Sequence, residues 1–305
     1  MRLSTAQIQQ RGLNGILERT SDLSHTQQQL ATGKRILTPS DDVFATTQAY
    51  AVKQVIATHE QFQVNAGYAE GRLNQEEIVL NHAIDILQRV HELGVQANNT
   101  SYGALERKNI SIEVRVMLDE LVNIANSTDS NGEYLFSGLQ VDTLTVEESP
   151  AGSGTYVYTA GDTGRRSVQI GVSSQVTVGD PGSEVFFDVP RSAGANQSIF
   201  ATIEQFAQDL ETNTNLPSSV TLADLRLAID HIGTYRASVG ARQSMIEGIN
   251  QLNIDIVLQG QVTLSDLQDL DFAEAVSRLN LQMVGLEASQ QSFNKIQNLS
   301  LFNYL

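Results

Sequence analysis

The five histidines are the side chains best suited to proton transfer or metal binding near neutral pH, and their placement supports neither. His25, His59, His82, His91 and His231 are scattered, and none forms the HExxH pair that sets two ligands on one helical face. Each reads as a lone surface histidine. The acidic pairs Glu76-Glu77 and Glu147-Glu148 are adjacent in the chain and read as solvated, whereas catalytic carboxylates converge across a cleft. Gly152-Ser153-Gly154 is small enough to approach a phosphate, but no helix pattern follows it, so it reads as a turn. G-x-S-x-G, Walker and dinucleotide glycine motifs are missing. With no Cys there is no thiol nucleophile, disulfide framework or Cys-type zinc site. The Asn-x-Ser/Thr triplets at Asn98 and Asn126 read as chance. The expectation is a chain that is not an enzyme and uses no cofactor and no metal.

The elements must therefore explain the protein. Among 305 residues, 35 acidic side chains outnumber 19 Lys and Arg, giving a net charge of −16. That balance argues against nucleic acid or an anionic membrane surface as the main partner. No window approaches the roughly 18 apolar residues of a membrane span. The opening MRLSTAQIQQRGLNG lacks the apolar core of a secretory signal, so any export would use a route that reads another signal. Five Pro and few aromatics, against abundant Gln, Asn, Ala and Leu, make the composition that of long helices.

A first helix is predicted from Ser4, whose spacing to Gln7 fits a capping box, to Thr38, where Pro39 excludes the helical region for its predecessor. Along it Ile16, Leu23, Leu30 and Leu37 recur every seven residues, with Leu13 at one alternate position and polar Thr20, Gln27 and Lys34 at the others. Gly33 is placed to bend or cap this helix, with Lys34-Arg35 favourably near its C-terminal end. Pro39, Asp41 and Asp42 make the joint to a second helix, for which Ser40, Asp41 and Asp42 supply N-cap candidates. That helix is predicted over 43–96, about 80 Å at 1.5 Å per residue. A turn at 98–103 leads to a third helix, 104–127, with a stripe of Leu105, Ile112, Leu118, Leu121 and Ala125, returning antiparallel.

The middle changes period. Residues 141–190 hold 7 of the 22 Gly, and Val168, Ile170 and Val172 alternate with Gln169 and Gly171, as Tyr156 and Tyr158 flank Val157. Turn signals at 150–154 and 179–182 separate these runs, giving a small β insert. Helical patterning resumes near Ser198, breaks at 213–217, and returns from Leu222 to about Leu258. At the end, Phe272, Val276, Leu279, Met283, Leu286, Gln290 and Phe293 follow alternating spacings of four and three, and Leu299, Leu301, Phe302, Tyr304 and Leu305 continue the apolar surface.

The predicted fold class is mainly α with a β insert: an antiparallel helical rod formed by both halves, coiled-coil-like termini and a small β-rich outer domain. The expected parts are 1–40 with 272–305, 41–135 with 195–271, and 136–194. The terminal stripes need partners, and the intramolecular pair alone is marginal against the entropy of ordering it. The termini are therefore expected to be largely unfolded in the free subunit and to fold on assembly. The candidate interface is Leu13, Ile16, Leu23, Leu30, Leu37, Phe272, Val276, Leu279, Met283, Leu286, Phe293, Leu299, Leu301, Phe302 and Leu305.

Several segments carry a resemblance beyond periodicity. LATGKRILTPSDDVFA (30–45), NAGYAEGRLNQEE (65–77), ELGVQANN (92–99) and NSTDSNGEYLFSG (126–138) resemble the N-terminal half of the bacterial flagellin family. DLDFAEAVSRLN (269–280) and LEASQQSFNKIQNLSLFNYL (286–305) resemble its C-terminal half, leaving the β insert unmatched. EYLFSG (133–138) and the closing SLFNYL are closer in style to the hook-associated (type 3) branch, the hook–filament junction proteins, than to flagellins, which typically end on Arg. The resemblance implies a structural adaptor exported unfolded through the flagellar type III pathway. Its implied partners are copies of itself in a ring, the other hook-associated junction protein, flagellin, and an export chaperone holding the C-terminal segment. The alternatives are a flagellin that polymerises by itself, a hydrolase carried on flagellin-like helices, and an adhesin-like role for the insert. A hydrolase would need convergent polar groups in an insert that contains no His.

Overall fold

A computed structural model of the chain describes residues 5–99, 101–212 and 219–298. The helices are α1 (Thr5–Thr32), α2 (Val43–Ala97), α3 (Ala104–Ala125), α4 (Ile199–Thr212), α5 (Ser219–Gln268) and α6 (Phe272–Asn298). Between α3 and α4 lie β1 (Val146–Glu148), β2 (Tyr156–Tyr158), β3 (Arg166–Gln169) and β4 (Gln175–Val178). The fold is mainly α with small antiparallel strands in the middle, as the sequence predicts. Two compact units result, one formed by 1–58 with 255–305 and the other by 59–254.

In the unit 59–254, α2 and α5 run antiparallel. Buried His59 meets Asn253 at 2.8 Å, Asn74 meets Gln243 at 2.9 Å, and Asn81 meets Arg236 at 2.8 Å. α3 returns along α2, tied by Arg89 to Glu113 at 3.0 Å, and α4 lies against α3 through Arg115, which pairs with Glu204 at 3.1 Å and Glu211 at 3.0 Å. The buried face of α3 is Ile110, Val114, Leu118, Leu121 and Ala125. Leu105 and Ile112, which the sequence placed on that stripe, are exposed, because the stripe drifts with the 3.6-residue period.

The strands form two separate hairpins. β1 pairs with β2 in the register Val146↔Tyr158, and β3 with β4 in the register Val168↔Val176. Val176, Val178 and Ile170 are buried, but Val172 is 72% exposed: β3 ends at Gln169, and 170–174 turn back instead of alternating further. A single π-helical turn, Ser183–Phe187, follows β4. The hairpins share one apolar core with the helices. Phe136 and Phe186 stack edge to face at 5.1 Å, and Phe200 and Phe206 are equally buried beside Leu87, Leu118 and Leu225.

Asn126, whose triplet carried no message, clamps β1 to the end of α3. Its Oδ1 accepts the N–H groups of Thr145 and Val146 at 3.0 and 2.9 Å, and its Nδ2 donates to Val146 O at 2.8 Å. Two other expectations fail. His59 is buried, and Glu76 is wholly buried, not solvated. Adjacency to Glu77 said nothing about which helix face each occupies.

In the unit 1–58 with 255–305, α1 and α6 are antiparallel partners. A Cβ on Gly12 would lie 2.8 Å from Phe293, and one on Gly33 would lie 3.6 Å from Phe272. α1 stops six residues before the predicted Thr38, because Gly33 takes a left-handed conformation (φ 69°) and its N–H closes on Gln29 O at 2.8 Å. α5 continues ten residues past the predicted Leu258 to Gln268. Ser4 lies outside the described residues, so its capping box has no structural reading.

Candidate assembly surface

The joint is built around two short connections lying side by side. Lys34 and Asp269 form an antiparallel bridge, with Arg35 N–H donating to Gln268 O at 2.7 Å and Leu270 N–H to Gly33 O at 3.0 Å. The Arg35 guanidinium adds a bond to Leu267 O at 2.9 Å and an ion pair with Asp42 at 3.2 Å. Asp42 in turn caps α2, its Oδ1 accepting Ala45 N–H at 2.9 Å. Asp41 gathers the turn containing exposed Pro39: its Oδ2 accepts the N–H groups of Leu37 and Thr38 at 2.9 and 2.8 Å, and its Oδ1 the Thr38 hydroxyl at 2.9 Å. Asp271 caps α6 through Ala273 N–H at 2.9 Å.

Two predictions arise here. Gly33→Ala has room for its methyl group, so its cost of about 1–2 kcal/mol comes from the left-handed backbone. Urea unfolding of the chain in its assembled state measures it. The Thr38 and Leu37 amides hold the Asp41 carboxyl down at about 2. A depressed acid contributes above its unfolded value and loses that contribution as pH falls through its folded one. The Asp41 carboxyl resonance should therefore titrate near pH 2, after the free carboxylates.

The α1–α6 contact divides the predicted stripes. Ile16, Leu23, Leu30 and Leu37 are all half-buried, as are Leu279, Leu286 and Phe293 of α6. The other α6 positions of the stripe, Phe272, Val276 and Met283, are exposed, together with Leu13 and Leu17 of α1 and Leu281 and Val284 of α6. The fully buried positions of the two helices are instead small or polar, Thr26 and Gln29 on α1 and Ala275 on α6, with Gly12, Gly15, Gln282, Gly285 and Ser289 half-buried. The Arg19 guanidinium lies over Gly285, where a Cβ would stand 2.5 Å from its Nη1, and the Phe293 ring lies over Gly12. The apolar surface of α6 is thus wider than one partner helix can cover. Leu299, Leu301, Phe302 and Leu305 lie outside the described residues.

A second apolar face, not singled out from the sequence, lies where the start of α2 meets the end of α5. Val43, Phe44, Tyr50 and Val55 are exposed on α2, and Leu258 and Val262 on α5. Between these helices Ala51, Val52, Val55, Ile256 and Gly260 line a shallow groove of about 340 Å³. The signal for it was the length of the apolar run in a helix too exposed to bury it all. Among the described residues no cluster of three or more His, Asp or Glu could hold a metal ion, and no helix is long and apolar enough to cross a membrane.

Long antiparallel helices with unpartnered apolar faces define a class of protein, a mainly helical subunit with surface left for neighbours to cover. Residues 3–141 match the bacterial flagellin N-terminal helical region. The chain is 27% identical to flagellar hook-associated protein 3 of Escherichia coli strain K12, with 99% of each chain covered. It is 25% identical to flagellin of Bacillus subtilis strain 168, over 91% of this chain and 90% of that one. The solved flagellar hook-associated protein 3 of Legionella pneumophila has the same fold, with a TM-score of 0.65 at 23% identity, covering 72% of this chain and 98% of that one. This is a flagellin-like chain, similar over its whole length to hook-associated protein 3, as the motifs in both halves indicated.

Proposed function

We propose that this protein is a structural adaptor of the bacterial flagellum, seated outside the cell at the junction between hook and filament and without catalytic activity. The observation that carries the reading is the α6 surface, where Val276, Met283 and Val284 stay exposed although α1 is already in place. Such a surface suits a subunit whose neighbours complete it. Similarity over 99% of the Escherichia coli hook-associated protein 3 supports the junction over other sites in the flagellum.

In this reading copies of the chain form a ring that sits on the other hook-associated junction protein, and flagellin polymerises on that ring. A flagellar export chaperone holds the C-terminal segment before unfolded export. The working parts are the terminal pair 1–40 with 272–305, the helical body 41–135 with 195–271, and the β segment 136–194. The terminal pair is largely unfolded in the free subunit, consistent with a contact rich in Gly, Thr, Gln and Ser that buries little apolar area. Strong hydrogen-exchange protection of 1–35 and 275–305 in the isolated subunit would count against that step.

The deciding experiment is deletion of the gene in its native host. Hooks should persist, filaments should be missing and flagellin should be shed into the medium. Normal filaments would overturn the reading. Long filaments formed by the concentrated pure protein would favour a flagellin instead.

A further inference from the structure

Among the buried acids of the described residues, Glu76 stands out for a carboxyl oxygen that no donor meets. It projects from α2 with no solvent exposure. Its Oε1 accepts the backbone N–H of Asp180 at 3.0 Å, and its Oε2 is buried with no hydrogen-bond partner. Asp180, itself 2% exposed, follows β4 in the turn 179–182 and pairs with Arg242 of α5. Arg242 also donates to Thr177 O at 3.2 Å, so this cluster joins the end of β4 to both long helices.

The surrounding charges are already committed. Arg72, one turn earlier on α2, is taken by Asp129 at 2.9 Å and Glu133 at 3.3 Å. Arg165 stands 3.7 Å from Asp180 but is bound to Glu184 at 2.5 Å and is 43% exposed. From α5, Tyr235 donates to Glu184 at 3.3 Å, His231 lies 2.9 Å from Glu184 O, and Gln243 donates to Glu77 at 3.1 Å. If Glu76 and Asp180 were both ionised, two buried negative charges would share one well-buried cation, Arg242. A buried carboxylate oxygen without a donor is far more costly than a neutral acid in the same place.

We infer that Glu76 holds a proton in the folded protein, and that its neutral state, by removing a second buried negative charge beside Asp180, lets residues 175–182 pack on α2 and α5 as a pH-sensitive catch. Burial first, and the Asp180 charge second, push the Glu76 acid up to about 8. A group whose folded value is raised contributes stability that is complete below its unfolded value and is lost as pH rises through its folded value. The catch is therefore closed in mild acid and loosens as the pH passes above neutral.

Urea unfolding of the full chain and of Glu76→Gln, followed by circular dichroism between about pH 5.5 and 8.5, tests the linkage. The variant keeps the acceptor for Asp180 N–H and cannot titrate. Relative to it, the wild-type folding constant should fall by up to about tenfold per pH unit. Parallel profiles would overturn the proposal. Should Glu76→Gln fail to fold, carboxyl carbon NMR of the folded wild-type chain decides. One glutamate resonance should keep its protonated position at about pH 6, where unperturbed glutamates have ionised, and a spectrum with every glutamate ionised would refute the catch.

Discussion

Val276→Asp combined with Met283→Asp should leave the isolated chain folded and abolish filament growth. Both side chains are exposed, 46% and 51%, on the face of α6 turned away from α1. Exposed substitutions of this kind usually change stability by within about 0.5 kcal/mol each, with a little more from the poorer helix propensity of Asp. In an assembly the same positions would be covered. Each would then lose roughly 1.5–3 kcal/mol of burial and place a carboxylate in an apolar contact. In the proposed ring that penalty recurs at every interface, so the expected phenotype is complete loss of motility with hooks retained. Leu279→Asp is the control, because Leu279 is half-buried in the α1–α6 contact. It should block assembly as well, by breaking the α1–α6 pair itself, and neither variant should change the helix content of the free subunit, in which, on this reading, that pair is largely unfolded. Motility retained by the double variant would exclude this face from assembly.

The largest effect on stability should come from Arg72→Met. Arg72 is 3% exposed and donates to Asp129, itself 5% exposed, at 2.9 Å, to Glu133 at 3.3 Å and to Tyr134 O at 3.2 Å. Met fills much of the same space but leaves Asp129 buried without its cation. Removing one partner of a buried pair costs about 3–5 kcal/mol, enough to shift urea unfolding of the unit 59–254 by a wide margin. Asp129 is also the organiser of its own turn, accepting Asn131 N–H at 2.8 Å and Glu133 N–H at 3.0 Å. The loss should therefore spread to residues 127–135, visible as faster hydrogen exchange there. Arg72→Met with Asp129→Asn should recover part of the stability, since no unpaired charge then remains.

Neither Arg72 nor Glu76 could be picked out from composition or motif. Arg72 sits in NAGYAEGRLNQEE, which carried the resemblance, but its partners are 57 and 61 residues further on. Glu76 looked like half of a solvated pair, and its burial depends on Asp180, 104 residues away. Charged residues enter a core only through such distant partners, and a local window contains none of them. The end of α1 went wrong for another reason. Pro39 is a strong stop, but Gly33 stops the helix first by adopting a backbone conformation whose neighbour, the 268–270 strand of contacts, comes from the far end of the chain.

What the sequence determined by itself was the set of elements and their kind. Helical periodicity over tens of residues, a change to period two around Tyr156 and Val168, and the Asp41-Asp42 joint are local properties, set by backbone geometry within a few residues. The motifs at both ends added the flagellin likeness. Only the tertiary structure decided which half of each apolar stripe is used. Spacings of three and four mark a surface as apolar without saying how many neighbours it meets, and packing α6 on α1 through glycines and small polar residues leaves Val276 and Met283 outside. That choice rests on which side chains of α6 meet α1, a contact between segments more than two hundred residues apart in the chain.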